Sequence, residues 1–209
     1  MRNARLALTL ALLPGALAAQ DSARVSGQAR AEVRAQVPAG FSADARTRLE
    51  AMILAAEEQG LPGDPLSRRM AEGQAKGASE EAIIAAAAKL RAGLEVALAA
   101  LEAGGHQNPT AGEITRGALA LEKGVTRTEL EAVARSAPGE RRLAVAFEVL
   151  TDLAARGMPV DQALAMVTAR LEGGATDAQL IGLTASADAR AGAGRTTVTG
   201  TAGVGVRKP

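Results

Sequence analysis

Between residues 43 and 190 apolar side chains recur every three or four positions, the spacing of one face of an α-helix. The longest run, Glu80 to about Ala103, puts Ile83, Ala87, Leu90, Leu94, Leu98 and Leu101 on one stripe. Ahead of it, the pattern predicts a helix from about Ala43 to Gln59 with Leu49, Met52 and Ile53 inward. A short helix follows, opened by Asp64-Pro65 and carrying Leu66 and Met70. Beyond the long run, a second short helix opens at Thr110 with Glu113 and carries Ile114, Ala118 and Leu121. The stretch after Thr126 is interrupted at Pro138-Gly139 and resumes with Leu143, Phe147 and Leu150 facing inward. A last pair is expected to bury Leu164, Val167 and Leu171, and then Leu180, Ile181 and Ala187 between Asp177 and about Ala189.

The flanks follow a different period. Val25, Gly27, Ala29, Ala31, Val33, Ala35 and Val37 fall on alternate positions, as do Val198, Gly200, Ala202, Val204 and Val206. Alternation suits strands that could pair as a small ribbon. The competing expectation is disordered Gly, Ala and Thr-rich flanks, since such small side chains bury little area against the entropy of ordering.

One phrase occurs three times: Gly, then Ala or Val, then Ser or Thr, three free positions, and Ile or Leu. It reads KGASEEAI at 76–83, KGVTRTEL at 123–130 and GGATDAQL at 173–180. Each copy follows a proline by 15 residues, Pro62 before Gly77, Pro109 before Gly124 and Pro159 before Gly174, and the copies lie 47 and 50 residues apart. That interval is the range of helical-pair repeats. Physically the phrase is a stop and a restart. Gly77, Gly124 and Gly174 suit the left-handed turn that ends a helix. Ser79, Thr126 and Thr176 are then N-caps of the next helix, with Glu129 and Gln179 completing capping boxes. The expected fold class is all-α: three tandem helical-pair repeats forming a short α-solenoid, or a compact helical array if the few units close on themselves. The period resembles that of α-solenoids in general, without tetratricopeptide or ankyrin signatures. End helices of such an array are expected to carry a polar outer face.

Composition sharpens this. Fifty of the 209 residues are alanine, while Trp and Tyr are absent and Phe occurs twice. Alanine favours helices but buries little area, so the core should be thin and extended. With no cysteine, packing alone must hold the fold, and a thiol nucleophile, a cysteine metal site and a cysteine-linked lipid anchor are excluded. The first residues pair Arg2 and Arg5 with an apolar stretch from Leu6 to Leu13, then Pro14 and the small residues Ala16, Ala18 and Ala19. That is the build of a secretory signal peptide, cleaved before Ala19 or Gln20, and it implies a periplasmic or secreted protein. The expected organisation is a signal peptide over 1–18, a linker over 19–42 that is disordered or a short strand, helical repeats over 43–190, and a Gly/Thr-rich tail over 191–209.

Losing residues 1–18 takes the formal net charge from +1 to −1, which is no general signal for nucleic acid. Within that balance, residues 41–187 are mildly acidic and 188–209 mildly basic. Candidate chemistry is sparse. His106 is the single histidine, and it lies in the loop GGHQNP, where it reads as an exposed imidazole without the partners a base or metal ligand needs. That loop holds two residues more than its counterparts, which makes His106, Gln107 and Asn108 a candidate binding loop. Glu80, Glu81, Glu129 and Asp177 stand in first helical turns, where structural duty accounts for them. Nothing points to a cofactor or metal. The leading expectation is an exported, non-catalytic module that binds a protein or peptide partner. Two alternatives are a polyanion or envelope-surface binder acting through the basic tail, and an envelope hydrolase using carboxylates alone.

Overall fold

The computed structural model describes residues 31–137, 139 and 141–196, with residues 187–196 as backbone only. Among them are helices and no strand. We number them α1 (Ala43–Glu58), α2 (Asp64–Ala75), α3 (Glu80–Ala103), α4 (Ala111–Glu122), α5 (Arg127–Ser136), α6 (Ala144–Ala155), α7 (Val160–Glu172) and α8 (Asp177–Thr196). No helix among the described residues is long and apolar enough to cross a membrane.

Most helix boundaries have a local cause. Ser42, Ser79, Thr110 and Thr126 occupy N-caps, each with its side-chain oxygen accepting the backbone amide three residues on. Thr176 does the same for the Gln179 amide at the start of α8. Gly77, Gly124 and Gly174 take φ of 67°, 96° and 68°, and the next residue's amide reaches back to Gly73, Ala120 and Arg170 respectively. This is the Schellman ending, and the residue after the glycine is buried at Val125 and Ala175 but exposed at Ala78. The same geometry closes α1, α3 and α6 at Gly60, Gly105 and Gly157, where Leu61, His106 and Met158 follow the glycine. Thr126→Ala should cost about 1 kcal/mol through the lost cap, read as a lower denaturant midpoint with an unchanged slope.

The helices lie in two rows. In one, α1 packs on α3, α3 on α5 and α5 on α7. In the other, α4 packs on α6 and α6 on α8, and Arg69 of α2 reaches Glu122 of α4 at 2.9 Å. The rows meet where α3 touches α2 and α4, and where α6 touches α7. The crossing of α3 and α4 is built from the smallest side chains. A methyl group on Gly117 would stand 3.0 Å from Ala97 Cβ, and one on Gly93 would meet Ala118 at 3.6 Å. Where α3 meets α5, a methyl on Gly104 would fall 2.3 Å from Ala134 Cβ. Close approach of backbones gives dispersion contact that the side chains are too short to supply.

Two expectations need correction. Residues 31–36 are helical rather than extended, with Val33 and Val37 buried against the core. Those two valines are four apart, so the alternating pattern also contains a helical stripe, and contact with the core selects it. Residues 25–30 and the tail at 198–206 lie outside the described residues. Ile181, expected inward, is 55% exposed. Leu180 and Leu183 take the core face of α8 three residues apart, and Ile181 sits about 100° round the helix from Leu180. Most other stripe positions are buried, while Met52, Leu98, Leu121 and Leu164 pack at the edge of the core.

Candidate functional site

The described residues contain one buried polar cluster and several surface recesses of similar volume, of which the one between α4, α6 and α8 has the most apolar lining. The cluster centres on Glu113, in the first turn of α4 and fully buried. Its Oε2 accepts the Thr110 amide at 2.8 Å and the Thr110 hydroxyl at 2.6 Å, completing a capping box. Oε1 accepts the Leu143 amide at 2.7 Å. Leu143 is the N-cap of α6 and has no side-chain oxygen, and the first turn of α6 has no acidic residue of its own. One carboxylate therefore serves two helix starts, supplying a hydrogen-bond acceptor and a negative charge to an end its own sequence leaves uncapped. Arg142 Nη1 approaches Oε2 at 3.5 Å from the solvent side. Burial pushes the Glu113 carboxyl up, but the hydrogen bonds from Thr110 and Leu143, with the electrostatic pull of His106, outweigh it and hold it below the ordinary range.

His106 is 5% exposed, not the open loop imidazole the sequence suggests. The reason is its place in the chain: it follows Gly105 as the buried Leu61 follows Gly60 and the half-buried Met158 follows Gly157, a position that the Schellman ending can turn inward. Aligning the glycines that close α1, α3 and α6 would have revealed this. His106 Nε2 lies 3.0 Å from Glu113 Oε1, near enough for an ion pair but off the hydrogen-bond direction, so Nε2 makes no hydrogen bond. Gln107 and Asn108 are exposed beside it, with Asn108 at φ 54°. The expected binding loop is thus divided, its histidine turned to the core and its two extra residues to solvent.

Other first-turn carboxylates also tie helices together. Glu80 of α3 accepts the Ser42 amide and hydroxyl, both at 2.6 Å, at the start of α1. Those two bonds hold its carboxyl below the ordinary range. Asp177 of α8 accepts from Arg141 at 2.9 Å, and Arg141 also donates to the Ala175 carbonyl. The Arg141-Arg142 pair therefore reaches two separate helix starts, α8 through Arg141 and α4 through Arg142. No group of three or more metal-ligating side chains occurs among the described residues.

The groove, about 420 Å³, runs between α4, α6 and α8. Leu119, Val145, Val149 and Ala155 line it, and Ile181 and Thr184 form the α8 bank. Arg116 on α4 and Glu148 on α6 pair across it at 2.7 Å, with Asp152 nearby on α6. Gln107 and Asn108 are not part of it, nor are the helix-joint residues Gly77, Ser79, Gly124, Thr126, Gly174 and Thr176. Its signal in the sequence was Ile181, which the helical pattern assigned to the core. Comparison with protein-family models, curated proteins and solved structures gives no match, so no known site maps onto these residues.

Proposed function

We propose that this chain is an exported, non-catalytic helical-repeat protein that serves as an interaction or scaffold module, docking a protein or peptide partner on the α4/α6/α8 face. The observation that carries this reading is the groove itself: an apolar recess bordered by Ile181, the large apolar side chain most exposed among the described residues. The repeat reading is a short α-solenoid of three helical pairs. Its support is the shared sequence of short helix, left-handed glycine and hydroxyl cap at Gly77, Gly124 and Gly174, together with the packing of α1 on α3, α3 on α5, α5 on α7, α4 on α6 and α6 on α8. Export rests on the leader-like residues 1–18. The buried titratable pair is engaged with backbone and loop, which favours a structural duty for His106 and Glu113 over an acid–base one.

The test is a photo-crosslinking capture from the protein's own envelope fraction, with the reactive residue in place of Thr184 on the groove bank. Crosslinks that map to one partner segment and vanish with Ile181→Asp are expected. Capture insensitive to Ile181→Asp, or a turnover abolished by changing one side chain, overturns the proposal.

A further inference from the structure

We propose that the segment after α8, residues 197–206, folds back and seats Val204 and Val206 in the α4/α6/α8 groove, so that the chain covers its own docking face until a partner displaces it. The inference rests on the docking reading above and adds an internal competitor to it. It begins at α8, the last described helix of its row. On the side of α8 away from Leu180 and Leu183, the exposed residues are Ala178, Ile181, Gly182 and Ala185. Ile181 is 55% exposed, and a methyl group on Gly182 would meet nothing within 4 Å, so another backbone can come close beside it.

Three features favour a short, uncharged and tethered occupant. The first is extent. The recess of about 420 Å³ takes a few small apolar side chains, whereas a separate protein needs roughly 800 Å² on each side to stay bound. A segment of the same chain needs far less contact, because its effective concentration is about millimolar. The second is charge. Arg116 pairs with Glu148 at 2.7 Å and Arg156 with Asp152 at 2.9 Å, so the rim needs no countercharge from outside. Residues 197–206 carry no charged side chain. The third is reach. The α8 backbone runs to Thr196, about 18 Å beyond Thr184 and about 22 Å beyond Ile181. An extended return of eight to ten residues spans about 26–33 Å, which brings Val204 and Val206 to the groove. The other end of the array is covered in a comparable manner. Residues ahead of α1 bury Val33 and Val37 on the core, Gln36 donates to Glu57 of α1 at 3.1 Å, and Gln74 of α2 donates to the Ala39 carbonyl at 2.9 Å. A flanking segment of the chain thus already closes the start of the array.

The chain has no tryptophan, so Val204→Trp supplies a single fluorescent reporter. Acrylamide quenching of that reporter in the full chain is the test, beside a peptide of residues 197–209 with the same substitution. The expected result is quenching several-fold weaker in the chain than in the peptide and unchanged by dilution. Adding Ile181→Asp should restore the peptide's value, with an equal melting temperature to confirm an intact fold. A photo-reactive residue in place of Thr184 gives a second reading in the purified chain, an internal crosslink to residues 197–206. A reporter as open as in the peptide overturns the inference, as does shielding that Ile181→Asp leaves intact or that appears only as concentration rises. Ile181-dependent crosslinks from position 184 to a foreign partner, with none to the tail, overturn the tail inference and leave the docking reading standing. Absence of every Ile181-dependent crosslink, internal or foreign, overturns both.

Discussion

Glu113→Ala is expected to destabilise the fold by about 3–5 kcal/mol, the range seen when one partner of a buried ionic cluster is removed and the others are left behind. Three donors lose their acceptor together: the Thr110 amide, the Thr110 hydroxyl and the Leu143 amide. Water cannot replace it cheaply, because the carboxylate is fully buried. The fall should appear in the denaturant midpoint with little change in slope. Glu113→Gln keeps one carbonyl acceptor and should fall between the parent and Ala. It also isolates a pH effect. The native carboxyl is held below its ordinary value of 4.5, so the stability from its charge is present in full above that value. That contribution is lost as the pH falls through the lower native value. The parent should therefore lose its margin over Glu113→Gln on acidification, and a margin independent of pH would show that the charge is not what matters.

Phe147→Ala is the second large effect, about 3–5 kcal/mol. Phe147 is one of two aromatic residues in the chain and is fully buried on α6. That helix packs on α4, α7 and α8, so its core face is where the second row is joined to the first. In a core made largely of alanine, valine and leucine no neighbour is long enough to fill the space left behind. Thermal melting followed by far-ultraviolet circular dichroism would measure it, with an unchanged melting temperature as the contrary outcome.

Helix boundaries are largely legible in the sequence, because they are set by chemistry within a few residues. A glycine that must turn left-handed and a hydroxyl three residues before an amide act locally, and the joints at Gly77, Gly124 and Gly174 follow from them. The interruption before α6 was legible for the same reason: Ala137, the C-cap of α5 that precedes Pro138 in the sequence, is extended, as residues before proline prefer.

What escaped depended on neighbours distant in the chain. Residues 31–36 satisfied two periods at once, and only the core beside Val33 and Val37 decides between them. Ile181 is as apolar as Leu180, and which of them turns inward depends on the rotation of α8 against α6. Glu113 looked like an ordinary capping residue because its second service, to Leu143, comes from thirty residues away. His106 was misjudged through its chemical type. A polar ring in a loop reads as exposed, yet the backbone turn at Gly105 brings the residue after it onto the core, as the turns at Gly60 and Gly124 bring Leu61 and Val125.

The contact of α3 with α4 and α5 at Gly93, Ala97, Gly104, Gly117, Ala118 and Ala134 has a mechanical consequence. Glycine and alanine have no rotamers, so the helices lose almost no side-chain freedom when they dock. For the same reason those glycines and alanines cannot swing aside to absorb a displacement. Any shift of α4 must move whole helices against one another, which makes the crossing a stiff fulcrum.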